Sequence, residues 1–200
     1  MIAIIDYGMG NLRSVQKAVE KVGGKTLITE EPADLAGADK IVLPGVGAIQ
    51  PAMAKLAQLR FIPEIKAAIR AKKPFLGICL GLQLLFDTSR EGGNLKGLGI
   101  IRGSVERFGN DQKVPHMGWN QLKIKNKSSA LFKNIDEGAN VYFCHSYFVK
   151  PFESSIVAAT TVYGAEFVSA IAKDNVYGVQ FHPEKSQSVG LAILKNFVEL

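Results

Sequence analysis

One cysteine of the sequence lies between two glycines, in a pattern typical of nucleophilic enzymes. Gly77-Ile78-Cys79-Leu80-Gly81 has the form G-x-C-x-G and stands between an apolar run and a segment with helical spacing. So sharp a strand-to-helix turn leaves no room for side chains two positions before or after the nucleophile, and both of these positions are glycine. Backbone amides at a helix start also favour a thiolate. We predict that Cys79 is a nucleophile; the competing interpretation is a small buried cysteine between packing glycines.

A thiolate nucleophile needs a proton acceptor, and the sequence contains three histidines. His182 directly follows the strand-like run Val176–Phe181 and begins the segment His182-Pro183-Glu184. Across a turn stiffened by proline, Glu184 can reach one ring nitrogen of His182 while the other nitrogen faces Cys79. Taken alone, this segment would be an ordinary loop. Together with the cysteine motif, it predicts a Cys79–His182–Glu184 triad.

Acyl transfer also requires hydrogen-bond donors for the oxyanion of the tetrahedral intermediate. The amide of Leu80 follows the nucleophile directly. A second donor is predicted in Pro44-Gly45-Val46-Gly47, because glycines allow the peptide to turn the Val46 N–H inward. The alternative for this segment is a simple turn at the end of a strand.

Composition limits the kind of molecule that presents these residues. The 200 residues include 24 Lys and Arg against 18 Asp and Glu, a net charge of +6, and 47% are hydrophobic, which predicts a single globular domain over residues 1–200. The basic residues are scattered, so nucleic acid is not an expected partner. The most apolar stretch, Pro74–Phe86, is too short for a bilayer, and the chain start lacks the basic residues of a secretory signal. We expect a cytoplasmic location, no membrane contact and reduced cysteines.

The order of apolar runs predicts the elements that position the site. Ile2–Ile5, Thr26–Thr29, Lys40–Leu43 and Pro74–Ile78 are expected strands alternating with helices, which is typical of a parallel sheet covered on both faces. For the helix Leu12–Val22, Asn11 is a candidate N-cap and Gly23-Gly24 a stop. Six later segments are expected to extend the sheet with antiparallel strands: Gly99–Phe108, Asn120–Ile124, Val141–Phe148, Ile156–Val162, Phe167–Ala172 and Val176–Phe181. A last helix is expected at Ser188–Leu200.

The segments Gly77–Gln83 and Tyr177–Glu184 together resemble the class I, triad-type glutamine amidotransferases. The resemblance implies a flavodoxin-like α/β fold. It also implies hydrolysis of glutamine to glutamate and ammonia through a glutamyl thioester on Cys79, with no metal and no organic cofactor.

Four further segments resemble the branch of this family that serves histidine biosynthesis: Asp6–Leu12, Pro44–Gly47, Pro115–Asn120 and Tyr142–Tyr147. That branch implies a heterodimer, in which ammonia passes to a separate cyclase subunit of the (βα)8-barrel type.

By matching position, the resemblance implies a set of residues around glutamine, with Glu91 facing the α-ammonium group. These are Gly47, Gln83, Glu91, His145, Ser146 and Tyr147. An interface with the cyclase subunit is expected at the segment that contains the only Trp of the chain, because aromatic side chains often anchor interfaces. Its predicted residues are Pro115, His116, Met117, Gly118, Trp119, Asn120 and Lys185. A packed strand and turn is the alternative for this segment.

Other functions remain open at this point. The chain could be the glutaminase subunit of another amidotransferase, serving pyridoxal phosphate or purine synthesis or a duplicated pathway. A cysteine hydrolase that does not use glutamine, and a catalytically inactive interaction module, are further alternatives. The match at Gln83 and the complete triad favour an active glutaminase.

Overall fold

A computed structural model describes residues 1–109 and 111–200 of the chain. The first part alternates strands and helices: β1 Ile2–Ile5, α1 Leu12–Lys21, β2 Thr26–Thr29, α2 Asp34–Gly37, β3 Lys40–Leu43, α3 Ile49–Gln58, α4 Phe61–Arg70, β4 Phe75–Ile78 and α5 Leu80–Leu84. The second part is mainly strands: β5 Phe86–Ser89, β6 Leu95–Lys96, β7 Ile101–Arg107, β8 His116–Gln121, β9 Lys123–Ile124, β10 Asn140–His145, β11 Tyr147–Pro151, β12 Val157–Tyr163, β13 Ala165–Lys173, β14 Val176–Val179 and the helix α6 Gln187–Val198.

Within the described ranges, the strands form one 12-stranded sheet and one two-stranded sheet. The main path of the large sheet runs β2-β1-β3-β4-β14-β13-β11-β7-β5-β6, while β12 pairs with β13 and β9. Neighbours from β2 to β14 are parallel, and β14, β13, β11 and β7 pair antiparallel. The predicted mostly parallel sheet with flanking helices and an antiparallel extension is therefore confirmed.

The apolar strands are buried on both faces, as their continuous hydrophobic sequences predict. All four residues of β1 and all four of β4 are buried. Alternate residues of β1 belong to different cores: Ile5 packs with α3 and α4, and Ile4 packs with α1 and α6. Helices thus cover both faces of the parallel strands.

Helix α1 ends where the glycines predict. Gly23 has φ +91°, and its N–H donates to the Glu20 carbonyl at 3.0 Å, while the Gly24 N–H donates to the Val19 carbonyl at 3.0 Å. Asn11 occupies the predicted N-cap position, but its side chain makes no capping hydrogen bond.

Three predicted elements differ from the structure. The expected strand Val141–Phe148 is two strands, because β10 pairs with β8 in the small sheet while β11 joins the large sheet. The expected strand Asn120–Ile124 is likewise divided between β8 and β9. The segment of helical spacing that follows Cys79 is divided between α5, which ends at Leu84, and β5, which begins at Phe86. Short apolar runs fit the helical and the extended period equally well, so spacing could not decide this boundary.

In the described parts of the chain, no helix combines the length and apolar character needed to cross a membrane.

Candidate active site

Three adjacent parallel strands deliver the predicted catalytic segments to one edge of the sheet. β4 lies between β3 and β14, with Gly77 in register with Leu43 on one side and with Gly178 on the other. The loop Pro44–Gly47 follows β3, Cys79 follows β4, and His182 lies shortly after β14. Because parallel strands end at the same edge, segments far apart in sequence meet there.

Cys79 has the backbone conformation of a tight strand-to-helix turn. Its φ of 55° and ψ of −107° are rare for a residue other than glycine, and its N–H donates to the Val179 carbonyl at 2.8 Å. A Cβ on Gly77 would lie 2.7 Å from the Gly81 carbonyl oxygen, and a Cβ on Gly81 would collide with the Leu43 carbonyl. The prediction that both flanking positions require glycine is therefore confirmed.

His182 and Glu184 form a buried pair beside Cys79. Nδ1 of His182 lies 2.8 Å from Oε1 of Glu184, and the exposed fractions of the two side chains are 4% and 1%. Burial alone would lower the pKa of His182, but hydrogen bonds with Cys79 and Glu184 outweigh burial and raise that pKa to about 10. The structure thus brings the three residues of the predicted triad together.

The two predicted oxyanion donors occupy the same small region, but the amide of Leu80 already has an acceptor. Its N–H donates to the Gly45 carbonyl at 3.3 Å. The peptide that joins Gly45 to Val46 therefore turns its oxygen, and not its N–H, toward the Leu80 amide. Tyr7, which is fully buried, donates its hydroxyl proton to the Pro44 carbonyl at 2.9 Å and so holds the preceding peptide.

A cavity of about 280 Å³ opens above Cys79. All six residues predicted to surround glutamine line it, together with Cys79 and His182 of the predicted triad and the predicted oxyanion residues Val46 and Leu80. The complete lining is Val46, Gly47, Cys79, Leu80, Gln83, Glu91, Pro115, Cys144, His145, Ser146, Tyr147, His182 and Lys185. The cavity therefore combines a cysteine thiol, an imidazole and a carboxylate.

Two polar side chains of the cavity are held by backbone groups. One carboxylate oxygen of Glu91 accepts the N–H of Ile49 at 2.8 Å, at the start of α3. The buried Gln83 carboxamide donates to the Tyr147 carbonyl at 2.9 Å. Both groups are thus fixed in orientation before any ligand binds.

The segment predicted as a partner interface is an edge of the small sheet, and its residues divide between two faces. Met117 and Trp119 point outward and are 61% and 48% exposed. His116 lies on the opposite face and is buried, so its side chain does not reach this surface. The ring of Trp119 contacts that of Tyr142 at 6.0 Å between centroids, and Lys185 Nζ lies 5.8 Å from the same Tyr142 ring. Gly118 and Asn120 are half-buried.

Two side chains that contact the site, Gln180 and Ser186, were not predicted from the sequence. Gln180, fully buried, donates through Nε2 to Cys79 Sγ at 3.7 Å. The hydroxyl of Ser186 donates to the His182 carbonyl at 2.7 Å and accepts the Tyr142 N–H at 2.9 Å. Gln180 lies within the quoted histidine motif, so its position two residues before His182 was the available signal.

No group of three or more His, Cys, Asp and Glu side chains within residues 1–109 and 111–200 is arranged to hold a metal ion.

This combination of fold and site is that of an amidotransferase. The family model for class I glutamine amidotransferases matches residues 3–200. The chain belongs to the class I glutamine amidotransferases.

Within the family, the chain is similar over nearly its whole length to one kind of subunit. The chain is 56% identical to the imidazole glycerol phosphate synthase subunit HisH of Geobacter metallireducens, over 98% of this chain and 96% of that protein. It is 52% identical to the HisH subunit of Methanocaldococcus jannaschii, over the full length of both. Among solved structures, PurLQS from Thermotoga maritima matches with a TM-score of 0.78 at 17% identity, covering 99% of this chain and 96% of that one. The structural likeness supports the fold alone.

Proposed function

We propose that this chain is the glutaminase subunit of imidazole glycerol phosphate synthase. It hydrolyses glutamine and delivers ammonia to a cyclase subunit, which makes imidazole glycerol phosphate and AICAR in histidine biosynthesis. The observation that carries the proposal is the Cys79–His182–Glu184 cluster at the base of a cavity that also holds Gln83 and Glu91. Relatives with this name at 52–56% identity over nearly the whole chain support the choice of pathway.

The reaction uses Cys79 as nucleophile and His182 as the proton carrier. The thiolate attacks the carboxamide carbon of glutamine, and the protonated His182 then gives its proton to the leaving nitrogen, which departs as ammonia. A water molecule attacks the resulting glutamyl thioester and gives a proton to His182, so that glutamate leaves and the thiolate returns. Glu184 holds Nδ1 of His182 and stabilises the imidazolium form.

Glutamine is oriented by the polar groups on the cavity wall. Glu91 faces the substrate's α-ammonium, and its tether to the amide of Ile49 fixes the carboxylate in advance. Gln83, Gly47 and the segment His145–Tyr147 complete the pocket. A carboxylate in the same cavity as the nucleophile favours an amino acid over a simple amide, because it pairs with the α-ammonium group.

Activity is gated by the peptide between Gly45 and Val46. In the structure the Gly45 carbonyl accepts the hydrogen bond of the Leu80 amide, so this amide is not free to bind an oxyanion. Rotation of this one peptide removes the carbonyl and brings the Val46 N–H inward, so both oxyanion donors become available together. Since one such donor is worth roughly 10² to 10³ in rate, the free chain is a poor glutaminase.

The cyclase subunit, a (βα)8 barrel, binds the outward face formed by Met117 and Trp119 and extends to Lys185. This face adjoins the site through Tyr142, which contacts Trp119 and whose carbonyl accepts the His182 N–H at 2.9 Å. Contacts that favour the rotated peptide would couple ammonia release to the presence of its acceptor.

Reconstitution tests the proposed function. The chain is mixed with the cyclase subunit and its acceptor nucleotide, and synthesis of imidazole glycerol phosphate is followed with glutamine or with an ammonium salt as nitrogen source. We expect Cys79→Ala to abolish synthesis from glutamine and to leave synthesis from ammonium intact. Failure of the wild-type pair to make the product from glutamine would contradict the pathway; glutamate formation without product would then indicate another acceptor.

A further inference from the structure

A pair of buried histidines lies outside the proposed triad: His145 lines the cavity, and His116 lies behind it. His116 and His145 are directly opposite each other on β8 and β10, are 3% and 5% exposed, and are joined by 3.1 Å between His116 Nδ1 and His145 Nε2. The His116 ring is stacked between Phe143 and Tyr163, at centroid distances of 4.9 and 4.0 Å. Two imidazoles in such an apolar setting must satisfy each other's hydrogen bonds.

The partners of the pair determine which nitrogen of each ring holds the proton. Nδ1 of His145 lies 2.8 Å from the Tyr147 carbonyl, which can only accept, so this nitrogen is protonated and Nε2 of His145 is an acceptor. Nδ1 of His116 must therefore donate to it, which leaves Nε2 of His116 to accept from the Asn120 amide at 3.3 Å. Burial keeps both rings neutral, since it lowers the pKa of His116 to about 4 and that of His145 to about 3.

The hydrogen bonds continue from the Tyr147 carbonyl to Cys79. This carbonyl also accepts a hydrogen bond from Nε2 of Gln83, which orients the Gln83 carboxamide. The second N–H of the same Nε2 donates to Oε1 of Gln180 at 3.1 Å. Oε1 of Gln180 is thereby an acceptor, so its Nε2 must point its N–H at Cys79 Sγ, 3.7 Å away. An amide in the reverse orientation would aim a lone pair at the sulfur.

We propose that the chain Asn120–His116–His145–Tyr147–Gln83–Gln180, here termed the polar relay, orients the two glutamine side chains so that an N–H group supports the Cys79 thiolate. His116 and Gln180 are positioning residues in this relay. The inference rests on the proposed function, because it takes Cys79 as the nucleophile and Gln83 as part of the substrate pocket. It also gives the small sheet, whose outer face is the proposed interface, a hydrogen-bonded connection to the reacting sulfur.

Loss of the His116 donor has a definite consequence in the relay. Nε2 of His145 would then be a buried acceptor without a donor, and the ring would no longer be held in the position from which its Nδ1–H reaches the Tyr147 carbonyl. The carbonyl would shift, Gln83 would lose its fixed acceptor, and Gln180 would no longer be held with its N–H toward Cys79. The effect on the thiolate would arise without any change at Cys79, His182 or Glu184.

Two substitutions of His116 separate hydrogen bonding from packing. His116→Phe keeps an aromatic ring between Phe143 and Tyr163 but cannot donate to His145. His116→Asn loses the ring but can place its amide N–H where Nδ1 of His116 was. If His116 acts through the relay, the reactivity of Cys79 in the Asn variant should be closer to that of the wild type. If His116 acts only by packing, the Phe variant should be closer.

The readout is the pH profile of Cys79 alkylation by iodoacetamide in the full chain, with Cys144→Ala in every sample so that Cys79 is the one reactive thiol. We expect His116→Phe to move the midpoint of the profile to higher pH by about 0.5 unit and His116→Asn to restore most of the shift. With the cyclase subunit present, kcat/KM for glutamine should fall about tenfold in the Phe variant. A wild-type profile in His116→Phe would overturn the relay.

A second measurement does not depend on the stability of the His116 variants. Imidazole nitrogen NMR of the wild-type chain should show His116 and His145 both protonated at Nδ1 at neutral pH, and a His145 protonated at Nε2 would overturn the relay. Gln180→Met, which removes the last N–H donor, should move the alkylation midpoint in the same direction as His116→Phe. Absence of glutaminase activity in the wild-type complex would instead contradict the proposed function, because the NMR and alkylation results do not require turnover.

Discussion

At the scale of single residues, the proposed nucleophile Cys79 has a strained backbone. Its positive φ places the sulfur at the sheet edge, and the neighbouring glycines allow the surrounding backbone to close in. Such strain persists only where the surrounding structure determines it, here through the bond from the Cys79 N–H to Val179.

Replacement of each cysteine in turn tests the role of the nucleophile. We expect Cys79→Ala to abolish glutaminase activity with the fold retained, because the turn remains but no thiolate can attack. Cys144→Ala should largely retain activity, since Cys144 contacts Cys79 through its backbone carbonyl, which alanine keeps. Glutamate release by each variant with the cyclase subunit, alongside circular dichroism, gives the comparison. Wild-type turnover in a folded Cys79→Ala sample would refute the assignment.

The proton carrier and its orienting carboxylate should differ in the size of their effects. General acid–base catalysis contributes roughly 10² to 10⁴ in rate, so His182→Ala should lose at least that much. Glu184→Gln should lose less, because a carboxamide can still accept from Nδ1 of His182 although it cannot stabilise the imidazolium charge. Single-turnover measurement of thioester formation separates these effects, and a normal rate in His182→Ala would exclude the proposed pairing.

The buried histidine pair also predicts how stability depends on pH. The pKa of His116 is lowered by burial from 6.5 to about 4, so below pH 6.5 the unfolded chain binds a proton that the folded chain does not. Stability should therefore fall as the pH decreases from 6.5 toward 4. We expect His116→Phe to weaken this dependence by about 1 kcal/mol per pH unit near pH 5, measured by urea unfolding. Above pH 7 the free energies of unfolding of the wild type and of His116→Phe should depend on pH in the same way. An equal dependence at every pH would contradict the lowered pKa of His116.

At the scale of secondary-structure elements, one lysine joins two parts of the parallel half. Nζ of Lys73, ahead of β4, donates to the carbonyls of Leu35, Ala36 and Ala38 at 2.9, 2.6 and 2.6 Å. These carbonyls lie at the end of the short helix α2, where helical acceptors remain free. The ammonium group therefore ties α2 to the start of β4, the strand that leads to Cys79.

Substitution of two adjacent lysines isolates this contribution. Lys73→Met should lower the free energy of unfolding by about 2 kcal/mol, because hydrogen bonds from a charged donor are among the stronger ones. Lys72→Met is the matched control: its exposed ion pair with Asp174, at 3.8 Å, should contribute less than about 0.5 kcal/mol. Urea unfolding of both variants measures the difference, and equal stabilities would show that the bonds to α2 contribute nothing net.

Sequence patterns predicted those elements whose signals are local. The apolar strands β1 and β4, the end of α1 at Gly23 and the elbow at Cys79 all depend on residues within a few positions of each other. The break at Ser146 was missed, because the apolar alternation continues through it and only pairing with different partners separates β10 from β11. Side chains that depend on distant partners, such as Gln180 donating to Cys79, could not be inferred from spacing.

For the site, too, the identity of the residues was predicted from the sequence, but their orientations were not. Residue types and the resemblance selected the residues that line the cavity, including Gln83 and Glu91. We predicted His116 at an interface because its segment contains an aromatic residue that could anchor a partner, but strand alternation turns the His116 side chain inward. The orientation of the Gly45 peptide was also beyond sequence reasoning, because glycine permits both orientations.

At the scale of the whole molecule, the proposed interface lies on the surface, so a substitution there should weaken binding of the cyclase subunit without unfolding the chain. Trp119→Ala should weaken binding of the cyclase subunit by about 2 kcal/mol, as is common for a central aromatic anchor. Phe152→Ala is the control, since Phe152 is a more exposed aromatic residue, at 71%, that lies beyond the end of β11, outside the proposed interface. Calorimetric titration gives both affinities; equal effects of the two substitutions would contradict the placement of the interface.

Coupling between the subunits should appear in the rate of glutamine hydrolysis. We expect the cyclase subunit with its bound acceptor to raise the wild-type rate by at least roughly 10² to 10³, the contribution of one oxyanion donor, because the rotated peptide makes two donors available. The measurement compares glutamate release by the free chain, the empty complex and the loaded complex. Equal rates in all three would contradict gating by the peptide between Gly45 and Val46.

An inhibitor that imitates the tetrahedral adduct must bring its negative oxygen to an amide already engaged by the chain's own Gly45 carbonyl. Such a compound would first form a loose encounter complex and tighten only after the internal carbonyl has withdrawn. Its onset rate would therefore level off at high inhibitor concentration, at the rate at which the peptide turns. The cyclase subunit would then act as an accelerator of inhibition, and drug screens on the isolated chain would overlook compounds that are potent against the assembled enzyme.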